Sequence, residues 1–516
     1  MIGTGPASSP PLSRRGLLQG AGAGALAATF GAQAQEARPR RGGILRIAAA
    51  DQSSTDTFDP VLARSGSDYL RAKAAFNALT WVNSRAEAVP DLAESFESDP
   101  QAMRWVFRLR KGVRFHDGSP VRTADVVYSI MRHKTGPSLG SAIVANVASV
   151  AADGPDSVVF TLTSPDVSFP LAMSELHMSI VKEGTTEFSR PIGTGPFRIE
   201  TFQPGVRTIG TRNPEYWVPD RPYVDGFELI PLSDMQSRVN ALLAGDVHLA
   251  VNLRGVGIDQ VRQSTAAKLL TTPTAGFASV HMRVDMKPSD NLDLRLALAH
   301  LMDRRRFVEV VLRGQAVLGN DVPILSTSPL YNTDLPQRAL DPDRAKFHLG
   351  RAGIGSAPVE VYVTDAANGG IDIGQLLQRE AARAGLNLSL KRVPADGYWV
   401  NVSGMHPFTN NQVTPRPSDD MNIALFWKSN GAFNKCRFTA PGFDALADEA
   451  RATHDQGKRR ELYFRMQKLI HDTTPQVIPA MQSYVDGISN RVMGIEPVPV
   501  GYLGGFNGIQ NAWLGA

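Results

Sequence analysis

The sequence predicts an α/β protein of two lobes with an additional β-rich part, and three observations carry that prediction. FELIPLSDMQSRVNALLAGDVHLAV reads as strand, helix, strand, and more than a hundred residues later PVEVYVTD, IDIGQLLQREAARAG and LNLSLKRV repeat the same order. Parallel strands joined by a crossover helix form a βαβ unit that needs its own packed face, so two such units far apart in the chain imply two lobes. The third observation is residues 83–189, rich in strand and turn signals with one clear helix, which read as a separate module.

Ile44, Leu45 and Ile47 form a short first strand that gives way to a polar loop ending at Asp59-Pro60. Within the β-rich stretch, Trp105, Phe107 and Leu109 alternate with polar or smaller neighbours, and Val113 and Phe115 resume the pattern after Lys111-Gly112, so a hairpin is expected. Asp117-Gly118 supplies a turn, and Thr123 is expected to cap a helix over about 123–134 whose apolar positions are Ala124, Val127, Tyr128 and Met131. In the first βαβ unit the strand Phe227–Leu232 precedes a capping box of Ser233 with Gln236, and Gly245 ends the helix before Val247, Leu249 and Val251 alternate. The second unit stops at Gly385. Between the units, LDLRLALAHLMDRRRFVEVVLRG predicts one helix with Leu294, Leu298, Leu301 and Met302 inward and another opened by Asp303. Near the end ELYFRMQKLIHD buries Leu462, Met466, Leu469 and Ile470 before Thr473-Thr474-Pro475 stops it.

At 516 residues, 42% hydrophobic and 20% charged, the chain is long enough for several cores. Its first 34 residues read as a cleavable leader: Ser13-Arg14-Arg15 precedes a Gly- and Ala-rich apolar stretch ending in Ala32-Gln33-Ala34, a signal with twin-arginine character. That stretch falls short of the ~20 strongly apolar residues a membrane span requires. Loss of Arg14 and Arg15 with the leader leaves 52 basic against 50 acidic side chains. A nearly neutral chain without basic runs or interleaved aromatics excludes a nucleic-acid binder. The single cysteine, Cys436, excludes an internal disulfide, and no cysteine stands at the cleavage site to accept lipid.

His116-Asp117 resembles a hydrolase dyad but sits in a turn with no third group nearby, so a structural role is expected. Gly136-Pro137-Ser138-Leu139-Gly140 has the spacing of a nucleophile elbow. That device needs a strand to enter and a helix to leave, whereas here a helix enters, and Ser138 reads as a loop residue. Gly193-Thr194-Gly195 lacks the following helix that a phosphate loop requires. The ten histidines show no HExxH and no close i, i+4 pair, so neither a metal site nor a cofactor is expected.

LAESFESDPQAMRWVFRLRKGVRFHDGSPVRTADVVYSI, PIGTGPFRI, RNPEYW, DLRLALAHLMDRRRFV and FDALADEARATHDQGKRRELYFRMQKLIHDTTPQVIP, in that order, resemble the extracellular solute-binding proteins that serve peptide and nickel ABC transporters. The resemblance spans nearly the whole mature chain. It implies a type II periplasmic-binding-protein architecture: leader 1–34, lobe I from 43–82, 190–275 and 485–516, the β-rich domain 83–189, and lobe II 276–484. It also implies a monomer in the periplasm that closes on a small ligand and docks to permease subunits in the inner membrane, and that the FHDG stretch is scaffold. A metal-chelate or haem carrier of the same fold, and a periplasmic serine hydrolase, are the alternatives.

Ligand contacts are expected from the loop through Thr57 and Phe58, from Tyr398 and Trp399, and from RPSDDMNIALFWKSNGAFN. There Met421–Trp427 reads as a buried strand feeding a polar loop. The named candidates in that segment are Arg416, Asp419, Trp427, Asn430, Phe433 and Asn434. By resemblance, peptide-binding members place an acid in the loop after that strand to hold the ligand ammonium. No acid stands between Trp427 and Asp444 here, which leaves Asp419 or Asp420 as substitutes and Arg416, Lys428, Lys435 and Arg437 as the charges on offer.

Overall fold

The computed structural model describes residues 1, 3 and 38–515, so Arg14, Arg15 and the expected cleavage site lie outside the described residues. From Arg41 onward the chain forms one unit. Its first strand, Ile44–Ala49, lies parallel between Gly226–Pro231 and Leu249–Ala250, with Ile44 opposite Gly226 and Ile47 opposite Leu249. The first βαβ unit therefore straddles the N-terminal strand. Its crossover helix, Met235–Ala244, is capped one residue later than expected: Asp234, not Ser233, accepts from the Ser237 amide at 2.7 Å, because a carboxylate holds an N-terminal amide better than a hydroxyl. Gly245, at φ 83°, closes that helix as expected. In the second unit Val359–Val363 and Leu388–Arg392 pair in parallel, and the helix Gly370–Arg383 between them buries Ile373, Leu377 and Ala381.

Both units belong to one twelve-stranded sheet, and two long strands join them. Ala267–Pro273 pairs antiparallel with Ser483–Ser489 beside the N-terminal strand group, and the register then slips between Pro273 and Gly276. Beyond the slip the same strand, running to Met282, pairs with Phe408–Val413 beside the second unit. The sheet thus passes through two lobes, each with helices packed over apolar residues: Leu45, Ile47 and Phe227 in one, Val280, Val361 and Leu298 in the other.

The β-rich domain is a four-stranded antiparallel sheet in the order Ala93–Ser98, Arg104–Leu109, Ser157–Leu162, Val147–Ala152. Trp105, Phe107 and Leu109 are buried as their alternation required. The hairpin with Val113 and Phe115 is not formed. Arg104–Leu109 is paired along both edges, with Ala93–Ser98 on one side and Ser157–Leu162 on the other, and past Lys111 only an isolated bridge joins Arg114 to Pro120. The helix Thr123–Thr135 starts with Arg122 at its cap, whose amide donates to Asp125 Oδ2 at 2.7 Å, so Thr123 is its first helical residue.

Elsewhere the expected helices are present. Leu292–Leu301 buries Leu294, Leu298 and Leu301; Asp303 caps Arg304–Arg306; and Gln456–Thr473 buries Leu462, Met466 and Ile470 and ends at a left-handed Thr474. One assignment is overturned. Met421–Trp427 is not a strand: Asp419–Phe426 is a helix, with Ser418 accepting from the Met421 amide at 3.1 Å. A short apolar run fits either structure, and the serine cap decides for helix.

Candidate functional site: the cleft between the lobes

The His116 question resolves through backbone contacts. Its Nε2 donates to the Gly195 carbonyl at 3.0 Å, its Nδ1 accepts from the Gly193 amide at 3.3 Å, and Asp117 turns away to Ser119 and Lys182. Gly193 and Gly195 are small because Ala75 lies against them; a Cβ on Gly193 would stand 1.9 Å from the Ala75 carbonyl oxygen. Both motifs are therefore packing devices that tie the β-rich domain to the first lobe.

Ser138 has a neighbour that sequence did not reveal, His133 in the last turn of the preceding helix. Their Oγ and Nδ1 stand 2.6 Å apart, while His133 Nε2 lies 3.0 Å from the His177 carbonyl, so Nε2 carries the proton and Nδ1 accepts from the hydroxyl. A carbonyl occupies the place where a triad has a carboxylate. Burial pushes the imidazole down to about 4, and the Ser138 oxygen also accepts from the Gly140 amide at 3.0 Å, which makes this a poor base beside a capping hydroxyl.

Three spaces lie elsewhere, where the lobes and the β-rich domain meet, apart from an open hollow on the outer face of the second lobe beside Asn332 and Phe464. One cavity of about 240 Å³ opens at the register slip, walled by Asn252 and Arg254 from the first lobe, Gln412 and Gln482 from the second, and the rings of Tyr484 and Tyr502. A second, about 580 Å³, lies against Thr272, Ser328, Arg416 and Asp419, and a third of about 240 Å³ lies between His177 of the β-rich domain and Phe433. Arg416 lines both of these. Together the three spaces are of a size to enclose a small solute.

An amide network sets the polar character of the first cavity. Gln412 Nε2 donates to Gln482 Oε1 at 3.3 Å, Gln482 Nε2 to the Asn368 carbonyl at 2.8 Å, and the Asn368 amide to Gln412 Oε1 at 3.1 Å. Beside it, burial pushes the Tyr484 phenol up to about 12, so it remains a donor at neutral pH. In the third cavity burial favours a neutral Glu175, but the 2.7 Å contact and the charge of His177 outweigh it, leaving the carboxyl below the ordinary value and the imidazole above its own.

The residues expected from sequence are dispersed by the fold. Thr57 holds a turn, its amide donating to Asp68 Oδ1 at 3.0 Å and its hydroxyl accepting from the Asp59 amide at 2.9 Å. Phe58 is buried edge-on against Phe202 at 4.8 Å. Tyr398 is fully buried with its hydroxyl on the Asn410 carbonyl at 2.9 Å, and Trp399 packs on its edge at the surface. Trp427 is in the second-lobe core against Phe438, Asn430 is exposed, and Asn434 clamps its own loop through Phe438. Arg416, Asp419 and Phe433 do line the cavities.

Asp420 is committed elsewhere: it accepts from Arg459, from Tyr463 Oη at 2.7 Å and from Ser168 of the β-rich domain. Asp419 accepts from Ser328 at 2.9 Å, and burial pushes its carboxyl up to about 6. Lys428 is paired with Asp448 at 2.5 Å. The sheet strand of this region is Phe408–Val413, so the loop that follows a strand is Thr414–Ser418, which holds Arg416 and no acid. Arg254, Gln412, Tyr484 and Tyr502 were not found from sequence; each lies in an unremarkable stretch, and only the crossing of distant strands brings them together.

The model of the bacterial extracellular solute-binding proteins, family 5, matches residues 87–435, about two thirds of the chain. The chain belongs to this family. Among relatives, the dipeptide-binding protein of Escherichia coli K12 is 27% identical over 502 residues, covering 87% of this chain and 92% of its own. Heme-binding protein A of Haemophilus influenzae is 25% identical, covering 86% and 88%. The fold agrees with that of the ABC transporter-associated periplasmic binding protein DppA from Helicobacter pylori in complex with the peptide STSA, at a TM-score of 0.77 and 21% identity over 92% of this chain and 99% of that one. This family is one of substrate-binding components of transport systems, and the two-lobed architecture with an extra β-rich domain is the one its fold provides. Among the described residues no three His, Cys, Asp or Glu side chains are grouped for a metal ion, and no helix is long and apolar enough to cross a membrane.

Proposed function

We propose that this protein is the substrate-binding component of an ABC importer, closing two lobes over a small polar solute and presenting the closed form to permease subunits. The observation that carries the proposal is the cavity at the register slip, whose walls come from both lobes: Arg254 and Tyr502 from one, Gln412 and Asn368 from the other. A ligand that touches both walls only when they approach favours closure by its differential affinity, and micromolar binding requires about 8 kcal/mol in total. The lobe boundary falls at Pro273–Gly276 and its partner Gln482–Ser483, where the ladder changes register. In this reading Arg416, Asp419 and Phe433 contact ligand, whereas Phe58, Tyr398, Trp427 and Asn434 are core or loop supports. The leader directs a folded, monomeric protein to the periplasm through the twin-arginine route, without a lipid anchor.

Small-angle scattering of the purified protein, before and after removal of co-purified ligand by partial unfolding and dialysis, tests this. The radius of gyration is expected to be smaller with ligand bound. An unchanged profile, or chemical conversion of the ligand, refutes it.

A further inference from the structure

The β-rich domain meets the two lobes in different ways. Against the first lobe it is welded: Phe58, Ala72, Ala75 and Phe76 share one buried cluster with Val181 and Phe188, and Arg132 pairs with Asp59 at 2.7 Å. Backbone bonds add to the weld, from the Leu139 amide to the Val61 carbonyl at 2.9 Å and from the Ile180 amide to the Asn77 carbonyl at 2.8 Å. Against the second lobe it is not welded. Among the described residues every hydrogen bond across that boundary comes from three consecutive residues, Asp166, Val167 and Ser168, and Met421 is the only second-lobe side chain packed on the β-rich core. The third cavity lies beside them.

Those three residues are positioned by their own domain. The Asp166 amide donates to the Ala102 carbonyl at 3.0 Å, its carbonyl accepts from the Trp105 indole at 3.1 Å, and its Oδ1 accepts from the Ser168 amide at 3.0 Å. What they offer outward is taken up by three helices of the second lobe, Asp419–Phe426, Phe443–Ala452 and Gln456–Thr473. Asp166 Oδ2 accepts from Arg451 at 2.7 Å, the Val167 amide donates to the Arg451 carbonyl at 3.0 Å, and the Ser168 hydroxyl donates to Asp420 and accepts from Arg459 at 3.1 Å. Arg459 and Tyr463 satisfy Asp420 with or without Ser168. Water can replace polar contacts of this kind on separation, so they hold two bodies together reversibly, whereas an apolar weld has no such substitute.

The lobes turn about the register slip at Pro273–Gly276, and the β-rich domain travels with the first lobe, so opening must pull these contacts apart. Resting on the solute-binding reading above, we infer that Asp166–Ser168 is a latch, engaged by the second lobe on closing and released on opening, which holds part of the solute-free protein shut. Ligand supplies the rest of the closing free energy, and the affinity for any solute scales with the fraction already closed.

The test reads both forms on ligand-stripped protein. Spin labels are placed on Ser149→Cys in the β-rich sheet and on Thr439→Cys in the second lobe, both exposed, while the native Cys436 is buried and stays unlabelled. A short and a long distance between the labels are expected. Asp166→Asn and Ser168→Ala should each raise the ratio of long to short about tenfold, the lower end for a hydrogen bond to a charged group. Arg451→Gln should match Asp166→Asn, and the two together should add little. About 1 M salt should open the parent and leave Asp166→Asn nearly unchanged. Circular dichroism and the melting temperature check that the variants fold. Asp166 and Ser168 also line the cavities, but with no solute present a changed ratio is not a lost ligand contact. An unchanged ratio in all variants, or a stripped parent wholly in the long form, overturns the latch; if the distance still shortens in protein that retains its co-purified ligand, solute-driven closure stands. A single distance that neither ligand nor any substitution changes overturns both.

Discussion

Replacing Asp420 with alanine should destabilise the protein severely, through a contact that joins the β-rich domain to the second lobe. The Asp420 carboxylate is 6% exposed and receives the Arg459 guanidinium, the Tyr463 hydroxyl at 2.7 Å and the Ser168 hydroxyl. Removing it strands Arg459, whose side chain is 11% exposed, and removing one partner of a buried pair costs about 3 to 5 kcal/mol. Arg459 keeps bonds to the Ala450 carbonyl at 3.2 Å and to Ser168 at 3.1 Å, which favours the lower half of that range. Tyr463 is fully buried, so its unsatisfied hydroxyl adds about 1 kcal/mol or more. The expected total is about 4 to 5 kcal/mol, read as a loss in urea unfolding followed by tryptophan fluorescence and circular dichroism. Replacing the pair together, Asp420→Ala with Arg459→Met, should recover more than half of the loss, because an apolar side chain needs no counter-ion. A single variant within about 1 kcal/mol of the parent, or a double variant no better than the single, would refute the reasoning.

Two further outcomes follow from other parts of the molecule. His281, 2% exposed, has its imidazole pushed down to about 3 by burial. A folded value below the unfolded one gives stability that is present above pH 6.5 and lost as pH falls toward 3, so the parent should lose about 2 kcal/mol relative to His281→Gln between pH 7 and pH 5. Parallel stability curves over that window would contradict it. Changing Arg14 and Arg15 together to lysine should leave unprocessed precursor in the cytoplasm on cell fractionation; normal processing would show that another export route serves.

The elements legible in the sequence were those whose pattern is local. Both βαβ units, Gly245 as a stop, Asp303 as a start and the buried face of Gln456–Thr473 were fixed by periodicity and caps. The hairpin failed because alternation marks a strand without naming its partner, and Arg104–Leu109 found two better ones. Met421–Trp427 failed because the apolar run hid the helix, while the true strand, Phe408–Val413, carries buried Asn410 and Asn411 and does not look like one. The cleft was legible in part: Arg416 stood out by its charge and lines two of the spaces, but Arg254, Tyr484 and Tyr502, which wall the third, come from distant stretches that no spacing connects. Aromatics such as Phe58 and Trp427 carry no mark that distinguishes a core ring from a ligand platform.

The register slip at Pro273–Gly276 has a mechanical consequence. Where the ladder is interrupted, the Thr274 hydroxyl donates to the Gln482 carbonyl at 2.7 Å and accepts from the Gly276 amide at 3.0 Å, standing in for a missing rung. A side-chain rung swivels more freely than a backbone one, so the paired strands can flex there without leaving a peptide group dry and unbonded. About 20 Å of strand extends from the slip to Met282, so a turn of some 15° at this pivot moves the far end by about 5 Å. The spring of the joint is therefore soft, and the free-energy difference between the two ends of its travel is left to whatever sits in the jaws.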